Sequence, residues 1–160
     1  MFNTVNSDTS SDNLSQKFRG SSFCILAVDD NPVEFELLKD AFEICGMTVV
    51  LLTAITAPMA LAALEVARVE RQPDLALVDI NMPMVSGFEL AAVLIEQGVP
   101  TILMSTQVDD HRAIQAIRMG VLELLEKPSK HAGYVVLAER VIRILCESQT
   151  AKNAITNTRI

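Results

Sequence analysis

The chain has 160 residues, half of them apolar and 21% charged, with 13 basic against 20 acidic side chains and a formal net charge of −7. That length fits one domain with a substantial core and excludes disorder as the overall state. Residues 23–148 hold nine basic and eighteen acidic side chains, and the chain has no tryptophan and one tyrosine, Tyr134, which argues against a nucleic-acid binder that needs positive charge for phosphates and aromatic platforms for bases.

Residues 3–16 read NTVNSDTSSDNLSQ, a stretch too polar to offset its ordering entropy, so 1–21 is expected to be a disordered tail. It shows no basic stretch followed by an apolar one, and no secretory leader is expected. FCILAV (23–28) is a short apolar run ending in Asp29-Asp30 and reads as a buried strand. Asn31-Pro32 opens a helix over Val33 to Cys45, stopped by Gly46. TVVLLT (48–53) is a second strand, and Met59 to Arg71 a second helix. Met47 to Leu64 is uncharged and as long as the shortest membrane span. It contains Thr48, Thr53, Thr56 and Pro58, and so reads as strand, loop and helix start. LALVDI (75–80) is the third strand, Phe88 to Gln97 the third helix, TILMS (101–105) the fourth strand and Asp109 to Met119 the fourth helix, with Gly120 as its C-cap. VLELL (121–125) is a fifth strand, 131–148 a last helix, and 149–160 a short fraying tail. Cys24, Cys45 and Cys146 are too few and too scattered for a disulfide framework or a zinc site. They read as reduced, packed thiols, which fits a cytoplasmic protein.

Apolar strands alternating with helices predict an α/β fold: a (βα)₅, doubly wound, parallel five-stranded sheet covered on both faces. Such a sheet carries its site at the carboxyl ends of its strands. Asp29 and Asp30 follow the first strand, Asp79 sits at the end of the third, Ser105 and Thr106 at the end of the fourth, and Lys127-Pro128 after the fifth. Three carboxylates, a hydroxyl and an ammonium are thus expected to converge. Two carboxylates about 5 Å apart repel by roughly 3 kcal/mol at an effective dielectric near 20. The cluster therefore calls for a cation, and carboxylate oxygens with waters and a phosphate are a typical Mg²⁺ shell. A carboxylate beside such a cation can attack phosphorus and form an acyl phosphate. Other phosphate chemistry is excluded: neither a G-x-x-x-x-G-K-[ST] nor a G-x-G-x-x-G string is present. Asp79-Ile80-Asn81 also lacks the second acid of an aspartyl phosphatase.

The strings ILAVDDNP (25–32), PDLALVDINMPMVSGFEL (73–90), PTILMST (100–106) and LLEKP (124–128) together resemble the receiver domain of two-component response regulators. The resemblance covers 23 to about 147 and implies a flavodoxin-like receiver domain over 22–148. It implies Asp79 as the phosphoacceptor, with Asp29, Asp30, Asp79 and the main-chain oxygen of Asn81 as ligands of Mg²⁺, for which Mn²⁺ can substitute. It implies Lys127 as the partner of the phosphoryl oxygens, Ser105 as a switch hydroxyl, and Pro128 in a cis peptide. Two positions and one connection depart from the family pattern. Leu124 stands where an aromatic reports the switch, Thr106 where Ala or Gly is usual, and the connection from Asp30 to Asp79 is about five residues longer than in short chemotaxis receivers. Asn81 and Gln107 occupy positions that tune phosphate lifetime in the family. His111 and His131 are expected on the surface.

The function implied is a stand-alone response regulator and not a turnover enzyme. It would take phosphoryl from a sensor histidine kinase or phosphotransfer protein and signal to an effector by protein contact. A homodimer through the fourth helix, fifth strand and fifth helix is a further expectation. Nucleic acid and membrane are not expected partners. The alternative is a phosphorylation-independent adaptor, motivated by Leu124 and Thr106.

Overall fold

The computed structural model describes residues 22–158. The expected tail over 1–21 lies outside the described residues. Five strands alternate with five helices: β1 (Ser22–Val28), α1 (Val33–Ile44), β2 (Thr48–Ala54), α2 (Ala57–Glu70), β3 (Leu75–Asp79), α3 (Gly87–Glu96), β4 (Thr101–Ser105), α4 (Asp110–Met119), β5 (Glu123–Glu126) and α5 (His131–Asn157). Every strand pairing is parallel and the order is β2-β1-β3-β4-β5. The chain moves outward from β1 to β2 and then crosses to the other side of β1. That reversal is the switch point where the carboxyl ends of β1 and β3 open a crevice.

Alternating side chains of each strand feed two cores. Phe23, Ile25, Leu75, Leu77 and Ile102 pack with Phe35, Leu38 and Phe42 of α1 and Leu137, Val141 and Leu145 of α5. Leu26, Val28, Val78 and Leu103 pack on the other face with Ala60 and Leu64 of α2, Leu90 and Leu94 of α3 and Ala116 of α4. Burial on both faces is why the central strands read as continuous apolar runs. Helix starts follow local chemistry: the side chains of Thr56, Ser86 and Asp109 accept from the backbone N–H groups of Met59, Glu89 and Arg112, three residues on. Cys24 and Cys146 are buried and Cys45 is half-buried, all as free thiols.

Two elements differ from expectation. β5 starts at Glu123, not Val121, because Gly120 and Val121 donate to Ile117 and Ala116 to close α4. The last helix runs through Asn157 instead of fraying after 148. Its final stretch, ESQTAKNAITN, is almost wholly exposed, so burial does not explain it. The stretch has no Gly or Pro to interrupt it, so the backbone ladder of the helix continues through it. No helix among the described residues is long and apolar enough to cross a membrane.

Candidate functional site

β1 ends at Val28, and the Asp29 N–H still donates to Ala54 at the end of β2 (3.1 Å). Asp29 is therefore held at the sheet's rim and is buried, whereas Asp30, one residue on, is exposed. The Asn31 N–H donates to Asp29 Oδ1 (2.9 Å), and Asn31 Oδ1 accepts from the Val33 N–H (3.2 Å), which turns the chain into α1. Asp79 is the last residue of β3 and also buried; its Oδ1 accepts from the Asn81 N–H (3.0 Å). The loop after it is tight. Met84 has a φ of 69°, and Gly87 donates to Ile80 (3.0 Å) at the start of α3. A Cβ at Gly87 would stand 2.2 Å from the Asp79 carbonyl oxygen, so only glycine lets α3 approach the acid this closely.

Asp29, Asp30 and Asp79 each present a carboxylate oxygen within 4.8 Å of the other two. Lys127 arrives from the opposite side. Its N–H donates to Ser105 (2.8 Å), which extends the β4–β5 ladder to the rim. Its ammonium lies 2.6 Å from Asp29 Oδ2, 3.4 Å from Asp79 Oδ2 and 3.9 Å from Glu34 Oε1. Burial pushes the carboxyls of Asp29 and Asp79 above the usual range, against the opposing pull of Lys127 and of the backbone N–H each accepts. Burial also works against the Lys127 ammonium, but its anionic neighbours, Asp29 first, outweigh it and hold the group charged.

Ser105 is fully buried, and its hydroxyl engages Gln107 twice, donating to the carbonyl (2.7 Å) and accepting from the N–H (3.2 Å). Thr106 and Gln107 are exposed after β4, and Asn81 is exposed after β3. Leu124 is half-buried on β5 and packs into the core beneath α3 and α4. The expected cis peptide before Pro128 is not found: every peptide bond among the described residues is trans. Pro128 instead lies under α5, where a Cβ at Gly133 would come within 2.6 Å of it. His111 and His131 are exposed.

The structure thus brings together Asp29, Asp30, Asp79 and Lys127. It sets Ser105 beside them at the end of β4, with its hydroxyl bonded to Gln107. Two residues that sequence reasoning did not single out join the cluster. Glu34, in the first turn of α1, is the third anion near Lys127. It accepts a hydrogen bond from the Tyr134 hydroxyl at the start of α5. A lone tyrosine in an apolar helix was the available signal, since a buried phenol needs a partner for its hydroxyl. The donor set near the acids is all carboxylate oxygen, which suits a hard divalent cation such as Mg²⁺ or Mn²⁺ and not a soft one. Three clustered carboxylates with one shared ammonium carry surplus negative charge, so the residues present fit such an ion.

Comparison with known proteins agrees with this geometry. The family model for the response regulator receiver domain matches residues 25–137. The C4-dicarboxylate transport transcriptional regulatory protein DctD of Pseudomonas aeruginosa is 29% identical over 82% of this chain and 28% of its own length. A protein-glutamate methylesterase/protein-glutamine glutaminase of Syntrophus aciditrophicus is 34% identical over 74% of this chain and 34% of its own length. The chain thus spans about a third or less of the curated relatives it matches. Among solved structures, a CheY-like receiver domain protein from Methanospirillum hungatei superposes with a TM-score of 0.64 at 25% identity, covering 82% of this chain and 99% of that one. The Mn²⁺-bound form of response regulator Rcp1 shares the fold, with a TM-score of 0.65 at 19% identity over 74% of this chain and 91% of that one. With four motif strings at the rim of a β2-β1-β3-β4-β5 sheet and a family model spanning most of its length, this chain belongs to the receiver domains of two-component response regulators.

Proposed function

We propose that Asp79 accepts a phosphoryl group from a phosphohistidine of a sensor histidine kinase or phosphotransfer protein. The observation that carries this reading is a buried carboxylate at the end of β3 that shares one ammonium with Asp29. An Asp79 carboxylate oxygen attacks phosphorus, the phosphorus–nitrogen bond of the donor breaks, and the departing imidazole keeps the electron pair and takes a proton. Phosphoryl transfer asks a protein mainly to position groups and to neutralise charge. Lys127 is placed to follow the phosphoryl oxygens. Ser105 leaves its bonds with Gln107 to hydrogen-bond the new phosphate, with Thr106 and Gln107 bordering the approach. Asp29, Asp30, Asp79 and the Asn81 main-chain oxygen would hold Mg²⁺, or Mn²⁺ in its place. The ion, when bound, neutralises the phosphoryl oxygens. Hydrolysis of the acyl phosphate is the chain's own reset and not turnover of a substrate.

The output is a protein contact, switched by phosphate. Ile114 and Ile117 on α4, Leu122 before β5 and Val136 on α5 are exposed apolar side chains, available for contact with an effector or a second copy. Nothing in this reading calls for nucleic acid or membrane, and it carries with it a cytoplasmic location.

The test is intact mass after incubation with acetyl phosphate, with and without Mg²⁺, beside an Asp79→Asn control. A Mg²⁺-dependent gain of one phosphoryl group, absent from the control, is expected. If neither acetyl phosphate nor Mg²⁺ with beryllofluoride alters the wild type, the reading gives way to an adaptor that phosphate does not switch.

A further inference from the structure

Lys127 brings one positive charge to three carboxylates. Asp29 holds it at 2.6 Å, Asp79 at 3.4 Å and Glu34 at 3.9 Å. Glu34 is distinct among the three. It belongs to α1 and not to a strand end, its side chain is only 15% exposed, and a second group fixes it in place. That group is Tyr134, 4% exposed, whose hydroxyl donates to Glu34 Oε2. A phenol-to-carboxylate bond is a strong, charge-assisted one. Burial and then Glu34 push the Tyr134 phenol well above its ordinary range, so it stays a donor at any physiological pH. α1 and α5 pack side by side on one face of the sheet, and this pair joins their first turns directly beneath the acid cluster.

We propose that Glu34 and Tyr134 are positioning residues for the Lys127 ammonium, and that through them the charge state of the acid pocket is felt at the first turn of α5. The inference rests on Asp79 accepting phosphoryl. In the resting pocket Glu34 takes part of the ammonium's charge and holds it near the rim, ready for an incoming phosphoryl oxygen. When added negative charge at Asp79 draws Lys127 across, Glu34 loses its cation. Its remaining strong partner is then Tyr134, and the bond between them tightens. Neither residue touches the reacting atoms; both act through Lys127.

The chain reports on this by itself, since Tyr134 is its one tyrosine and it has no tryptophan. Tyrosine emission of the full chain is followed while Mg²⁺ and then beryllofluoride are added, for wild type and Glu34→Gln, with Tyr134→Phe as the blank. Phosphorylation by acetyl phosphate is timed by intact mass in parallel. Expected are a fall in wild-type emission on beryllofluoride that Glu34→Gln removes, and phosphorylation slowed about three- to tenfold in each single variant. The double variant should be no slower than the slower single, because the two side chains act as one unit. Both substitutions keep shape, and thermal unfolding checks that each variant folds. A flat wild-type emission, or variants phosphorylated at the wild-type rate, overturns the inference while leaving Asp79 as acceptor. A wild type that takes up neither acetyl phosphate nor beryllofluoride overturns the functional reading and this inference with it.

Discussion

The two ends of β3 carry one aspartate each, and they are treated in opposite ways. Asp74, just before the strand, accepts from the Cys24 N–H (2.9 Å), from the Arg71 guanidinium (2.7 Å) and from the Gln149 amide (3.2 Å). Arg71 also ties the Ser22 carbonyl (2.7 Å) into the same corner. One carboxylate thus has three donors, and β1, the end of α2 and α5 all meet on it. Asp79, at the other end, accepts one backbone N–H and competes with Asp29 and Glu34 for a single ammonium. A carboxylate used as a fastener is saturated with donors. A carboxylate kept for chemistry is short of them, and the fold bears the electrostatic cost.

Substitutions at the two ends should therefore separate stability from binding. The largest effect is expected at Gly87→Ala, where the new methyl would overlap the Asp79 backbone at 2.2 Å. A loss of about 3 kcal/mol or more in urea unfolding is expected, with Mg²⁺-dependent phosphorylation lost in whatever remains folded. Asp74→Ala comes next. It strands the Cys24 N–H, removes the carboxylate partner of Arg71 and should lower stability by about 2 kcal/mol, while the Mg²⁺ titration stays as in wild type. If that titration shifts as well, the two ends are not independent.

Asp79→Asn should do the reverse of Asp74→Ala. Burial holds the Asp79 and Asp29 carboxyls above their ordinary range, so the folded state binds their protons more tightly than the unfolded state does. Without divalent cations, wild-type stability should then decline as pH rises from about 4 through the folded-state values. Asp79→Asn should flatten that decline and leave the variant more stable than wild type at pH 7. Mg²⁺ should narrow the gap between the two by binding the folded wild type. At the alkaline end Lys127 acts in the opposite direction. Its raised value stabilises the fold below about pH 10.4, and that contribution is lost as pH climbs through the folded-state value. The smallest effect is expected at Arg140→Ala. Arg140 and Glu123 form a two-pronged pair on the surface of α5 and β5, yet solvent leaves such pairs little net energy, below about 0.5 kcal/mol.

Much of this molecule was legible in its sequence because the strands are buried on both faces. Continuous runs such as FCILAV and LALVD end at the sheet's rim, so the acids that follow them had to gather there. Lys127 was equally legible, as the one cation directly after the fifth strand. Less legible was whatever depends on contact between distant helices. Glu34 and Tyr134 are 100 residues apart, and no spacing rule connects them. The end of α5 was misjudged for a different reason. Burial marks where a helix packs, but backbone hydrogen bonding alone can carry it further.

The order of the strands also has a consequence in time. β1 is made first yet ends in the middle of the sheet, between β2 and β3. Asp29 is 50 residues from Asp79 and 98 from Lys127, so the cluster does not exist in any local segment of the chain. It comes into being only when β3 has docked on β1 and β5 has closed the far edge. Like charges are thus kept apart until enough apolar surface has been buried to hold them together. Divalent-ion binding, followed during refolding, should accordingly be one of the last signals to recover.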